Sequence, residues 1–174
     1  YQAWQAHNTN IYGLAWSPDG RTLATGGWDN TVKLWEVERA ALLWTGWHDG
    51  QVNDIAFSPD GHFLASGGTD GLVRLWDTEN GTQVQQVVGQ SGAINSLAWS
   101  PDGKQLISGG GDGMLYWWEI DSGQRTLTRK AHQGMVYALK VSPDGRILAS
   151  CGDDSAIHLW DIESGEHLQT LLLV

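Results

Sequence analysis

The sequence predicts an all-β chain built as four copies of one four-stranded antiparallel unit. Three observations predict it. Glycine supplies 23 of 174 residues and charged residues only 17%, against a usual ~7% and ~25%, so the chain is rich in turns and poor in the charged faces of long helices. The only four prolines, Pro18, Pro59, Pro101 and Pro143, all stand in the same tetrapeptide, Ser-Pro-Asp-Gly. Those tetrapeptides begin at Ser17, Ser58, Ser100 and Ser142, in steps of 41, 42 and 42, and a fixed period of that size marks a repeat architecture.

The same steps separate Trp35-Glu36, Trp76-Asp77, Trp118-Glu119 and Trp160-Asp161, and also Asp29, Asp70, Asp112 and Asp154. They divide a single array, 1–174, into units 7–47, 48–89, 90–131 and 132–174, with 1–6 left over as the outer strand of a preceding unit. Tyr1 to Gln5 align with Leu42 to Gly46, although Leu168 to Val174 already supply an outer strand for unit four, and Val174 falls in the slot of a next unit's first marker. With Tyr1 in place of a methionine, the chain reads as a piece of a longer array. The short first step is placed just after Trp35, where Glu36 to Ala41 replace turns such as Glu79-Asn80-Gly81, Asp121-Ser122-Gly123 and Glu163-Ser164-Gly165.

Within unit two the strands are expected at 52–57, 63–66, 72–76 and 82–88. The first runs into Ser-Pro-Asp-Gly, where proline presets the first corner of a turn and glycine accepts a positive φ at its end. The second is closed by Gly67-Gly68-Thr69-Asp70-Gly71 and the third by the Gly81 turn. In the third strand Val32 and Leu34, Val73 and Leu75, Leu115 and Trp117, and Ile157 and Leu159 share one face, while Trp35, Trp76, Trp118 and Trp160 point the other way. A sheet apolar on both faces has to be sandwiched. Radial stacking between copies of itself achieves this, and that arrangement is a β-propeller.

On these markers the sequence resembles the WD-repeat β-propeller family over its whole length. The resemblance implies a buried hydrogen-bonded tetrad in each blade: a His before the first strand, a Ser or Thr in the second, an Asp in the second turn and the closing Trp. The matching positions are His7, Thr25, Asp29 and Trp35, then His48, Ser66, Asp70 and Trp76, and in unit four His132, Ser150, Asp154 and Trp160. Unit three offers Ser108, Asp112 and Trp118, but Gln90 stands where His belongs. A carboxylate can accept from the imidazole, the second ring nitrogen from the hydroxyl, and the hydroxyl oxygen from the indole. Each link contributes about 1 kcal/mol, so Gln90 is expected to weaken the third blade.

Asp, His and Ser together invite a catalytic reading. A triad needs one exposed nucleophile beside an oxyanion hole, whereas this constellation recurs three times at structural spacing, so no catalytic residue is assigned. Apart from Asp54 the expected channel-lining first strands carry little chemistry, which leaves a propeller hydrolase as the weaker alternative. The histidines show no zinc-type spacing, and no metal or cofactor is expected. Cys151 replaces Gly26, Gly67 and Gly109 of the other units and reads as a small buried thiol. The net charge of −10, without a Lys/Arg cluster, argues against nucleic acid. No apolar run approaches the roughly 20 residues of a membrane span, and Tyr1 to His7 lack the basic and apolar regions of a signal peptide. One cysteine fits a reducing, cytoplasmic setting.

The resemblance implies that one rim, built from the loop before the first strand and the turn after the second, contacts a protein or peptide ligand. The positions are Asn10, Tyr12 and Trp28 in unit one and Gln51, Asn53 and Thr69 in unit two, followed by Ala93, Asn95 and Gly111, then Met135, Tyr137 and Asp153. Trp16, Phe57, Trp99 and Val141 share a first-strand position read as core between blades. Seven-bladed members allot ~51° to a blade, so four would leave an open arc with the apolar faces of units one and four bare. A homodimer closing an eight-bladed ring, unit four to unit one, is therefore expected. The functional expectation is an interaction scaffold or sensor segment of a larger signalling protein, the remaining alternative being a chain engineered to assemble with no partner.

Overall fold

The computed structural model describes residues 5–88 and 90–172, and these form four antiparallel sheets of four strands. The first holds β1 (Ile11–Trp16), β2 (Thr22–Gly27), β3 (Thr31–Glu36) and β4 (Ala41–Trp47); the second β5 (Val52–Phe57), β6 (Phe63–Gly68), β7 (Val73–Asp77) and β8 (Gln83–Val87). The third holds β9 (Ile94–Trp99), β10 (Gln105–Gly110), β11 (Met114–Glu119) and β12 (Arg125–Lys130); the fourth β13 (Val136–Val141), β14 (Ile147–Gly152), β15 (Ala156–Asp161) and β16 (His167–Leu172). Strand order follows chain order in every sheet. Of the leftover strand expected at 1–6, residues 1–4 lie outside the described residues, as does Val174, and residues 5–6 carry no strand.

The Ser-Pro-Asp-Gly corners share one geometry. In unit one Gly20 N donates to Ser17 O at 2.9 Å, Ser17 Oγ donates to Asp19 Oδ1 at 2.6 Å, and Arg21 N donates to the same carboxylate at 3.0 Å. Gly20, Gly61, Gly103 and Gly145 take φ of 70°, 77°, 71° and 75°, a region that side-chain-bearing residues enter at a cost.

Two expectations about local structure are corrected. The second strand of unit two runs on through Gly67 and Gly68, which pair with Asp54 and Val52. Close approach of the next unit is the reason glycine is tolerated there: a Cβ on Gly26 would lie 2.6 Å from Val52, and one on Gly67 2.6 Å from Ile94. The residue missing from unit one is also not lost just after Trp35. Ala40 takes the place of Gly81, Gly123 and Gly165 and adopts their positive φ, 54° against 73°, 67° and 61°. Register then stays in step, with Trp35 opposite Leu42 and Val32 opposite Gly46, as Trp76 is opposite Gln83 and Val73 opposite Val87. The deletion lies after the outer strand, in the short connection from Trp47 to His48.

Packing between sheets follows the two-faced pattern. Val32 and Leu34 meet Val52, Ile55, Leu64 and Trp76; Val73 and Leu75 meet Ile94, Leu97, Trp99 and Trp118; Leu115 and Trp117 meet Val136, Leu139, Leu148 and Trp160. Each such side chain contributes roughly 2 kcal/mol by burial. Polar links fix the joints as well. Trp99 Nε1 donates to Ala56 O at 3.0 Å, Trp44 Nε1 to Thr78 O at 3.0 Å and Trp117 Nε1 to Ile162 O at 2.8 Å. The inner strands meet in chain order, β1 with β5, β5 with β9 and β9 with β13.

The outward faces of the end units are bare. Trp99 is buried and Phe57 and Val141 half-buried, but Trp16, expected as core, is 56% exposed, because among the described residues no sheet precedes unit one. Leu14 on the same face is 62% exposed, and on unit four Ile157 is 42% exposed. Cys151 is half-buried and is a free thiol; no described residue of a following unit takes the place that Val52, Ile94 and Val136 take against Gly26, Gly67 and Gly109.

Candidate functional site

Inside each sheet a polar line crosses from the second turn to the closing tryptophan. In unit one His7 Nδ1 lies 2.8 Å from Asp29 Oδ1, His7 Nε2 lies 2.8 Å from Thr25 Oγ1, and Trp35 Nε1 donates to the same hydroxyl at 2.9 Å. Units two and four repeat it: His48 with Asp70 at 3.1 Å and Ser66 at 2.7 Å, and His132 with Asp154 at 2.7 Å and Ser150 at 2.8 Å. Trp76 and Trp160 donate to those serines at 2.7 and 3.0 Å. All the hydroxyls are buried, so none can meet a substrate as a nucleophile.

Unit three departs from this. Ser108 Oγ donates to Gln90 Oε1 at 2.8 Å and accepts from Trp118 Nε1 at 2.8 Å, but Gln90 Nε2 is buried without a partner among the described residues. Asp112 instead accepts from Tyr116 Oη at 2.8 Å. The third strand thereby reveals a position that sequence reasoning missed. Four residues after the tetrad Asp stand Lys33, Arg74, Tyr116 and His158, facing the tetrad between the apolar residues. Arg74 donates to Asp70 and, through Nη2, to Asp49 at 2.8 Å. The constant spacing was the available signal.

Charge at these centres is tuned by contacts. Burial works to raise Asp29, but hydrogen bonds from Thr31, His7 and Asn8 outweigh it and hold the carboxyl at about 2. Burial opposes and the His132 and Gln133 bonds prevail in the same way at Asp154, also about 2, and His48 with Arg74 hold Asp70 lower still. Burial pushes the His48 imidazole down from its ordinary value, against the hydrogen bond to Asp70. Burial, then the bond to Asp112, pushes the Tyr116 phenol up to about 12.

The expected rim divides into aromatic ends and a polar middle. Tyr12 stacks on Trp28 with ring centroids 4.4 Å apart and planes 3° from parallel, and Trp28 N donates to Asn10 O at 3.0 Å. Tyr12 is 56% exposed, while Trp28 Nε1 finds no acceptor among the described residues. In unit four Tyr137 Oη donates to Asp153, whose other oxygen accepts from Met135 N at 2.8 Å, and Met135 and Tyr137 are exposed. Between them Gln51 N donates to Thr69 Oγ1 at 2.8 Å, and the amides of Asn53 and Asn95 turn into the joints to donate to Ile94 O and Val136 O, each at 2.9 Å. These two amides are occupied within the fold rather than offered outward. Ala93 and Gly111 are joined by Gly111 N donating to Ala93 O at 2.8 Å.

The carboxylate that the enzyme alternative requires is also engaged. Asp54 Oδ2 accepts from Leu97 N at 2.7 Å and Ser96 Oγ at 3.0 Å, across the joint from unit two to unit three.

The family model described as the echinoderm microtubule-associated protein second beta-propeller matches residues 11–172. The chain belongs to this family of WD-repeat β-propellers. Curated relatives match over single-repeat lengths. A probable cytosolic iron-sulfur protein assembly protein 1 of Cryptococcus neoformans is 57% identical over 30 residues, 17% of this chain and 7% of the relative. Protein HIRA of Zea mays is 44% identical over 34 residues, 20% of this chain and 4% of that protein. The WD repeat-containing protein slp1 of Schizosaccharomyces pombe is 48% identical over 33 residues, 19% and 7% of the two chains. The matched stretch thus spans less than a tenth of the length of each relative. Among the described residues no helix is long and apolar enough to cross a membrane.

Proposed function

We propose that this WD-repeat chain is a non-catalytic, cytoplasmic scaffold or sensor segment that holds a protein or peptide on the rim carrying Tyr12, Trp28, Met135 and Tyr137. The observation that carries the reading is the Tyr12–Trp28 stack, with Tyr12 open to solvent and an indole donor that has no acceptor among the described residues. Large aromatic rings anchor interfaces because they bury much area at little conformational cost. The buried tetrad hydroxyls and the engaged Asp54 favour this reading over the hydrolase alternative. In a selection of displayed peptides against the chain, Trp28→Ala and Tyr137→Ala are expected to weaken a selected binder at least about tenfold. Val84→Ala, which removes an exposed side chain at the opposite end of the sheet of unit two, should leave binding unchanged. Equal affinity in all three variants would refute the assignment.

The self-association expected from the open arc is supported by the bare end faces. Three joints of one design already exist, and unit four presents the first half of a fourth while unit one presents the second. A second copy supplies both halves about a two-fold axis, at about 45° per blade. Trp16 would then bury as Trp99 does, with the side chain of Cys151 holding Ile11 further off than Val52, Ile94 and Val136 stand from Gly26, Gly67 and Gly109. Light scattering should give a mass about twice 19.0 kDa for the chain and 19.0 kDa for Trp16→Glu, which places a charge in the proposed joint. A stable monomer of the unsubstituted chain sinks the dimer.

A further inference from the structure

Outside the tetrads and the rim, unit four gathers a second set of side chains. We propose that His158 and His167, with Thr170, form a binding site for a first-row divalent metal ion on the outer two strands of this unit. The sequence gives no hint of it: the two histidines are nine residues apart on different strands, and only the register of β15 against β16 unites them. His158 stands opposite Thr170 and Trp160 opposite His167, with a bulge between Leu159 and Trp160 that carries His167 over to the same face.

The atoms converge at metal-ligand distance. His158 Nδ1 lies 3.2 Å from His167 Nε2, and Thr170 Oγ1 lies 2.9 Å from the first and 3.0 Å from the second. Two nitrogens bound to one tetrahedral zinc at ~2.0–2.1 Å stand roughly 3.3 Å apart, so the imidazoles need almost no movement to share an ion. The far side of His158 completes the pattern. Its Nε2 faces Asp154 Oδ2 at 3.7 Å, which sets a carboxylate behind the remote nitrogen, where a shift of under about 1 Å would make the hydrogen bond that orients metal-binding histidines. In the tautomers that turn both lone pairs toward Thr170, a cation takes both nitrogens at once.

The other units show why the site belongs to unit four. At the position of His158 they place Lys33, Arg74 and Tyr116, the first two being donors only and the third donating to Asp112. His132 also lies close, and His132, Asp154 and His158 can bring ligand atoms within 4.8 Å of one another. Both nitrogens of His132, however, are engaged by Asp154 and Ser150, so it supports the carboxylate instead of binding the ion. His167 is exposed and gives the ion a way in, with water completing the coordination. Imidazole donors suit Zn2+, Cu2+ and Ni2+.

Calorimetric titration of the metal-stripped full chain with Zn2+ tests the site. One ion per chain is expected to bind in the micromolar range, with His167→Ala and His167→Gln both at least about tenfold weaker. The glutamine variant preserves side-chain length beside Trp160, and both variants are checked for an unchanged circular dichroism spectrum. His62→Ala, which removes an exposed histidine of unit two, should bind Zn2+ like the unsubstituted chain. Zn2+ should raise the melting temperature of the chain and leave that of the His167 variants where it was. Absence of binding at millimolar Zn2+, or equal binding by the folded His167 variants, would overturn the proposal.

Discussion

Units two and three carry out one structural task with different chemistry. In unit two an imidazole, a hydroxyl, a carboxylate and a guanidinium form a closed network, His48, Ser66, Asp70 and Arg74, that extends to Asp49 at the surface. In unit three the line is cut. Gln90 satisfies Ser108 but its own amide nitrogen has no partner among the described residues, and Asp112 turns to Tyr116. Both sheets nevertheless close with the same Trp-to-Ser bond, 2.7 Å in one and 2.8 Å in the other. The fold therefore requires the link from the second strand to the closing tryptophan, while the link from the first residue of the unit to the turn can be rerouted through the third strand.

Breaking the stronger network gives the largest effect. His48→Ala should destabilise the chain by about 3 kcal/mol, since it strands Ser66 and leaves Asp70 and Arg74 to repartition a buried ion pair. Urea denaturation measures it, and a loss below about 1 kcal/mol would show that Arg74 alone holds the turn. Repairing the weaker network gives the smaller effect. Gln90→His restores the residue type of the other three units and removes the orphaned amide nitrogen, which should stabilise by about 1 kcal/mol in the same assay. Asp112 can serve both an imidazole and Tyr116, as Asp70 serves both His48 and Arg74. Destabilisation by Gln90→His would mean that Tyr116 already fills the space an imidazole needs.

The repeat, the four corners and the tetrad residues were legible because each is written at a constant step, and a constant step survives whatever the loops do. What escaped was set by pairing between strands. Gly67-Gly68 reads as a turn from composition, yet it continues β6, where a side chain on Gly67 would meet Ile94 and one on Gly68 the Gln51 carbonyl. The missing residue was misplaced because Ala40 adopts a backbone conformation usually left to glycine, and sequence alone shows only that the glycine is gone. Asn53 and Asn95 were placed on the rim from their position in the unit, but the direction of their amides depends on the neighbouring sheet. His158 and His167 meet through a bulge, which no spacing rule reveals.

Among the described residues the inner strands meet in chain order, β1 with β5, β5 with β9 and β9 with β13, and this governs how the molecule comes apart. A sheet with neighbours on both sides loses two joints when it opens, whereas an end sheet loses one, so opening costs least at units one and four and most at units two and three. Backbone amides of β6, β7, β10 and β11 should then be the last to exchange with solvent, and β1 and β16 among the first. Unfolding becomes a matter of fraying inward from two ends, and whatever covers those ends, whether a second copy or another blade, turns a linear melt into an all-or-none one.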